Sequence, residues 1–489
     1  MAVDLLRHPD GREPFMATYD DLEDLIGPLK RARIDAWFVS QEMPWRIDSE
    51  ENYYYEGSGR GMAQYCTRPD KFGEGGGKVW MDDWPDWGLG DQTDAYRAAF
   101  QEHRDTIDDH MRDFRSMVDP ANIQPLIDHL SAGAHMLTTG AITRPSADGQ
   151  TEITIPKKDT IGGAIDACVN LAGPLGSLRG STAHAFRTKF INRIEDVVDA
   201  QQLVCVILGG HLEAQKLMWT NARRAIVDLV VDTTKAYDDY ARTKSAGDFS
   251  VEFKIIGYAL AGAGLFASGG LALVLGVGGI GLSVAADTTD VEEAMKFPGG
   301  TYSQIKDSFY EGIGKIRKDI TSEETLIQQN LTTNTGIVQG HKGEFDLSRP
   351  ALLDVNDGDD IGASDAHEIL VNKRAVRSLT ADHMPAVASF LRQAGTEIEA
   401  AWSVNLEGWY RTSLGISNYG PMHEWYDLWI IVRDLIADTA DETSACAVTL
   451  DLAVQELENQ DATERDALGR HAKRVVDVGT SRSEHNPWD

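Results

Sequence analysis

Ile255–Ala286, IIGYALAGAGLFASGGLALVLGVGGIGLSVAA, is a run of 32 residues with no charged side chain and nine glycines, set in the middle of an acidic chain. An uncharged apolar run of more than about 18 residues is long enough to cross a bilayer as a helix. The glycines complicate that reading. Each costs roughly 1 kcal/mol against alanine in a water-exposed helix, yet glycine lets helix backbones approach closely in lipid or in a tight bundle. Gly269-Gly270 divides the run near its middle. Folded back there, each arm is about 21–24 Å long at 1.5 Å per residue, short of the roughly 30 Å hydrocarbon core. Three forms stay open: one tilted span, a hairpin that dips into a bilayer, or a hairpin buried as core. Ile255, Leu260, Phe266, Gly269, Gly270, Leu273, Leu275 and Ile280 mark it in each case.

The net charge of −31 argues for solubility and against nucleic acid or anionic membrane as a partner of the folded surface. Membrane contact, if any, falls to the apolar run at 255–286. The four cysteines (Cys66, Cys168, Cys205 and Cys446) are far apart and form no CxxC or Cys/His pattern, so neither zinc nor a disulfide framework is signalled. Cys205 and Cys446 fall in apolar helical patterns and read as small core residues. The N-terminus, MAVDLLRHPDGREPF, lacks the basic start and apolar core of a secretory signal peptide.

The fold expectation is mainly α: long antiparallel helical hairpins or a bundle around a central Gly/Ala-rich apolar hairpin, with an irregular N-terminal region. Residues 1–93 mix glycines with large rings, including Tyr53–Tyr55, Gly73–Gly77 and Trp80, and read as loops or short strands anchored by aromatics. Within them Tyr19–Lys30 is a short acidic helix with Leu22, Leu25 and Ile26 on one face. Residues 94–250 form a helical-hairpin domain. Its first stripe is Tyr96, Phe100, Ile107, Met111, Phe114 and Met117, broken at Pro120 and resumed at Ile123, Leu126, Ile127 and Leu130. Pro145–Thr154 reads as a linker or small hairpin. Phe186, Phe190, Ile194, Val197, Val204, Leu208, Leu212 and Met218 trace the strongest helix, continued by Ala222, Ile226, Leu229 and Val230, with a local break expected at Gly209-Gly210.

Beyond the apolar segment at 251–290, residues 291–340 hold a long amphipathic helix marked by Ile305, Phe309, Ile313, Ile316, Ile320, Ile327 and Leu331, close to a coiled-coil seam. Residues 341–366 are an acidic connector. Residues 367–489 form a C-terminal helical domain with stripes at Val376–Trp402 and Trp425–Ile436, the latter continued by Ala445, Val448, Leu452 and Leu457.

No chemistry-bearing motif emerges. The chain has no HExxH, GxSxG or Walker pattern, and the close glycines of Gly276–Gly281 (GVGGIG) lie inside the uninterrupted apolar run, where a phosphate would have no charged partner, and read as packing. Gly57–Gly61 lacks the Gly-Lys-Ser/Thr ending of a phosphate loop. Asp354–Asp360 places its glycine fifth and Asp365 twelfth, where a calcium loop needs Gly sixth and Glu twelfth. Asp108-Asp109-His110 are adjacent on a helix and point in different directions, which suits a solvated face better than acid–base work. The expectation is a non-enzymatic protein with no catalytic, cofactor-binding or metal-ligating residues.

Leu178-Arg179-Gly180-Ser181-Thr182-Ala183-His184-Ala185-Phe186 resembles the turn of the Trp-x-Gly helical-hairpin proteins exported by type VII (ESX) secretion in actinobacteria. Gly180, Ala183, Ala185 and Phe186 fit, and Leu178 stands where the family has tryptophan. The family's export signal, a Tyr followed four positions later by Asp or Glu, corresponds to Leu457 and Asp461, without the tyrosine. Tyr19 and Glu23 have that spacing at the other end of the chain. The resemblance implies a helical protein secreted without a cleaved signal peptide, with the secretion machinery or a helical protein as partner, or copies of itself. The alternatives are a membrane-inserting, pore-forming helical protein using the 255–286 hairpin, and a cytoplasmic helical scaffold with that segment as core.

Overall fold

A computed structural model describes residues 17–43, 45–56, 63–81, 90–145, 152–172, 186–244, 249–251, 295–297, 300–347, 373–403, 406–411 and 413–459. The described chain is mainly helical, with a small antiparallel sheet near its start.

The elements, in order, are α1 (Leu22–Ser40), β1 (Arg46–Ile47), β2 (Asn52–Glu56), β3 (Ala63–Thr67), β4 (Val79–Met81), α2 (Gly90–Met111), α3 (Gln124–Met136), β5 (Ile142–Pro145), β6 (Glu152–Ile155) and α4 (Ile161–Ala172). They continue with α5 (Asn192–Thr243), β7 (Phe249–Val251), β8 (Met295–Phe297), α6 (Tyr302–Gly340), α7 (Lys342–Phe345), α8 (Lys373–Ser378), α9 (Met384–Ser403) and α10 (Met422–Asn459).

The spine is α5, 52 residues long. Every hydrophobic residue assigned to its stripe is buried, from Phe186 to Val230. Burial is wider than one stripe: Val204 to Gln215 are buried without interruption, as befits a helix with neighbours on all sides. The expected break at Gly209-Gly210 does not occur, because both glycines are enclosed and the helix runs through them. The indole N–H of Trp425 on α10 donates to the adjoining Leu208 carbonyl at 3.2 Å.

Four helices line the spine, and side-chain contacts fix their directions. Just before α1, Arg223 of α5 covers the ring of Tyr19 at 4.3 Å, and further along α1 Arg33 lies near Tyr237, so α1 and α5 run the same way. On α6, Tyr302 lies 5.8 Å from Tyr237 and Gly312 abuts Leu229, so α5 and α6 run in opposite directions. Gln201 donates to the Leu435 carbonyl and to Thr439, which with Trp425 sets α10 against α5. On α3, Gln124 meets Lys216 and Thr138 beyond its end meets Gln202, again opposed. Outside this layer α9 packs on α3 and α10.

Local signals explain the boundaries. Thr301 and Gln304 exchange a reciprocal cap at the start of α6, with Thr301 N–H to Gln304 Oε1 at 3.0 Å and Gln304 N–H to Thr301 Oγ1 at 3.3 Å. The α6 seam from Ile305 to Leu331 is buried as its spacing predicts. Helix α1 is longer than the Tyr19–Lys30 expectation. It passes through Pro28, whose missing N–H forfeits one helical bond, and is held by burial on two sides. Leu22, Ile26 and Leu29 join the main core, while Ile34 and Phe38 join a second core with Trp45, Tyr53, Cys66, Val79 and Phe100.

The described part of the first ninety residues is therefore more regular than its composition suggests. β1 to β4 form a meander in sequence order, with Tyr53 opposite Cys66 and Tyr65 opposite Trp80. Ile142–Pro145 and Glu152–Ile155 pair antiparallel, which fits the hairpin of the two forms, linker or small hairpin, read for 145–154. One C-terminal expectation fails. On α10, Val448 and Leu452 are 60% and 53% exposed, and the buried side is carried by Ala447 and Leu450.

Two short strands bracket the central apolar run. β7 and β8 pair antiparallel, with Phe249 opposite Phe297, Ser250 opposite Lys296 and Val251 opposite Met295. β7 packs against α5. The run itself, with Ile255, Leu260, Phe266, Gly269, Gly270, Leu273, Leu275 and Ile280, lies outside the described residues.

Candidate functional site

Val251 and Met295, which flank residues 252–294, pair in the β7–β8 ribbon, whose strands follow α5 and precede α6 in the chain. Paired strands hold opposing Cα atoms about 4.5–5.5 Å apart. A buried polar cluster occupies the adjoining turns of α1, α2, α5 and α6.

Arg33 is its centre. It follows Leu22, Ile26 and Leu29 at helical spacing, so the apolar stripe of α1 delivers a guanidinium into the interior, 3% exposed. Its Nη2 donates to the Tyr310 hydroxyl at 2.8 Å, and the guanidinium carbon lies 5.6 Å from the centre of that ring. Nε, Nη1 and the Tyr237 hydroxyl meet no partner at good hydrogen-bonding geometry, and the Tyr302 hydroxyl has only a loose hydrogen-bond contact with Arg33. No carboxylate pairs with Arg33 among the described residues.

His103 of α2 closes one side, 4.9 Å from Trp37 and 6.3 Å from Tyr302 between ring centres. Burial, then the positive charges of Arg33 and Lys306, hold its imidazole down at about 4. His110 stacks on Tyr310 at 4.5 Å. Burial raises the hydroxyls of Tyr237 and Tyr302, so both rings are neutral phenols.

A second polar set ties α1 to the sheet. Asp35 receives Arg68 Nε at 3.2 Å and Nη2 at 2.5 Å, and the Tyr53 hydroxyl at 2.5 Å. Facing it from α5, Asp238 is raised to about 6, first by burial and then by Asp35, against Arg242 and Arg68.

The sequence-derived positions are distributed as follows. Leu178, Gly180 and Ala183 lie outside the described residues. Phe186 is a core residue, stacked on Phe190 at 5.4 Å. Leu457 falls in α10 and Asp461 lies outside the described residues. The Tyr19 hydroxyl donates to the Phe114 carbonyl and accepts from Met117 N–H, and so ties down a turn. Asp108 is held by Lys30 and Arg115, Asp109 by Arg112, and neither forms an acid–base pair with His110. Gly57–Gly61 and Asp354–Asp360 are outside the described residues. Among the described residues no group of three His, Cys, Asp or Glu side chains could hold a metal ion, and no helix is long and apolar enough to cross a membrane. The Arg33–tyrosine cluster was missed in the sequence, although a charged residue at the next step of an apolar stripe was its signal.

Compared with protein-family models, curated proteins and solved structures, the chain matches none.

Proposed function

We propose that this is a non-enzymatic helical protein that carries residues 252–294 as an out-and-back apolar hairpin for insertion into a lipid bilayer. Antiparallel α5 and α6, with α10 and α3, serve as the bundle that holds it. The observation that carries this reading is the pairing of β7 with β8. A single crossing puts its two ends about 30 Å apart, whereas Val251 and Met295 are neighbours across a ladder. A segment that leaves and returns at one place can enter a membrane from one side and still remain anchored to the bundle. The net charge of −31 assigns the attraction to apolar burial and not to lipid headgroups.

The test is dye release from phosphatidylcholine vesicles by the full chain, against a variant lacking 255–286 whose fold is checked by circular dichroism. Release by the full chain alone supports the reading. Absence of both release and co-flotation overturns it, and loss of helicity in the deletion variant would make the segment core.

Type VII export is a separate proposal about route, resting on the Gly180–Phe186 resemblance. Culture-fluid fractions with and without that export machinery decide it, and self-assembly or a helical partner protein would then act after export.

A further inference from the structure

The Arg33 cluster has too many donors and no acceptor of matching charge. Arginine stays protonated at any accessible pH and offers five N–H donors in a fixed fork. A buried charge without a counter-charge costs several kcal/mol, and Arg33 is 3% exposed. One of its nitrogens is used on Tyr310. Nε, Nη1 and the Tyr237 hydroxyl meet no partner at good hydrogen-bonding geometry, the Tyr302 hydroxyl has only a loose hydrogen-bond contact with Arg33, and Tyr237 sits close enough for its charge and that of Arg33 to act on one another.

We infer that Arg33, Tyr237 and Tyr302 form an enclosed seat for a small monovalent inorganic anion of the chloride class. The anion accepts from Arg33 Nε–H and Nη1–H and from the two hydroxyls, while Tyr310 holds the far side of the guanidinium. Its charge supplies what no described carboxylate does: Asp307 and Glu102 act on the tyrosines from a distance and form no ion pair with Arg33. Lys306 adds positive potential at the edge of the cluster. A water molecule can satisfy hydroxyls, but it brings no charge and accepts only about two hydrogen bonds. The bound anion joins α1 to the end of α5 and the first turns of α6. This inference does not rest on the membrane reading and stands or falls separately.

Bromide, a heavier stand-in for chloride, is the probe. Crystals of the full chain grown in sodium bromide are expected to show an anomalous peak within hydrogen-bonding distance of Arg33 Nε and Nη1. In solution, sodium chloride is expected to raise the melting temperature by about 1–3 °C over sodium gluconate at equal ionic strength, saturating with concentration. A Tyr237→Phe, Tyr302→Phe double variant keeps both rings and should lose that shift. The absence of an anomalous peak overturns the assignment, as does equal melting in the two salts or a shift that persists undiminished in the double variant.

Discussion

Glu324 of α6 and Arg411 form an ion pair in which neither side chain has any solvent exposure. The pair pins the turn before α10 to α6. Glu324 Oε2 accepts from Ile416 N–H at 2.8 Å, Arg411 Nη1 donates to the Trp409 carbonyl at 2.9 Å, and the guanidinium carbon lies 5.3 Å from the centre of the Trp219 ring of α5. Gly415 and Gly420, both at positive φ, leave the room: a Cβ at either would collide with the pair. Removing one member of a buried pair costs about 3–5 kcal/mol, whereas replacing both with apolar groups is often neutral. Glu324→Gln is therefore expected to lower the urea midpoint strongly, and Glu324→Leu with Arg411→Met to recover most of it. A double variant weaker than either single one would count against this account.

The α5–α6 contact makes opposite predictions for two glycines two residues apart. A Cβ at Gly312 would sit 2.7 Å from Leu229 Cδ1, while one at Gly314 would meet nothing within 4 Å. Alanine at 312 thus separates the helices or displaces Leu229, costing about 1–3 kcal/mol. Alanine at 314 should stabilise by roughly 0.5–1 kcal/mol through helix propensity. Thermal melting of the two variants checks the pair, and equal effects would mean that α6 does not lie against Leu229.

His211, inside the spine and 1% exposed, donates through Nδ1 to the Ile207 carbonyl at 2.7 Å. Burial lowers it to about 4 from an ordinary 6.5. Above pH 7 it is neutral folded or unfolded. As pH falls from about 6.5 to 4 the unfolded chain takes a proton that the folded chain refuses, so stability drops across that window and levels off below it. Asp238, raised to about 6, works the other way: the folded chain keeps a proton that the unfolded chain has released, so its contribution is full at acid pH and lost as pH rises. A His211→Gln comparison isolates the histidine. The advantage of the parent over the variant should shrink by on the order of 2–3 kcal/mol between pH 7.5 and 4, measured by urea unfolding at each pH.

Legibility in the sequence tracked the range of the signal. The stripes of α5 and α6 read correctly because one repeated face, such as Ile305 to Leu331, meets one neighbour. Gly209-Gly210 misled because glycine's intrinsic cost was outweighed by burial against neighbours such as Trp425, whose indole reaches the adjoining Leu208 carbonyl from 217 residues away, a contact that no local pattern records. Val448 and Leu452 misled for a related reason, since spacing names a face but not the neighbour that covers it. The sheet at 46–81 was hinted at by its rings and could not be registered without the Tyr53–Cys66 pairing. At the Arg33 cluster, α1 offered its single cue, while Tyr237 and Tyr302 enter from helices far along the chain.

The β7–β8 ribbon allows the out-and-back path to be tested directly. Ser250 and Lys296 are Cα partners across it, and opposing residues in an antiparallel pair lie within the 4.4–6.8 Å that a disulfide requires. Ser250→Cys with Lys296→Cys should therefore bridge readily on oxidation. The native thiols compete little: burial pushes Cys66, Cys168 and Cys446 up to about 12, which leaves them protonated at the pH of the reaction. If residues 252–294 enter a bilayer and return on the same side, their ends need never separate. The oxidised variant should then release dye from phosphatidylcholine vesicles as fast as its reduced form. Release that stops on oxidation and returns with dithiothreitol would show that Val251 and Met295 must part, which fits a single crossing and excludes the hairpin.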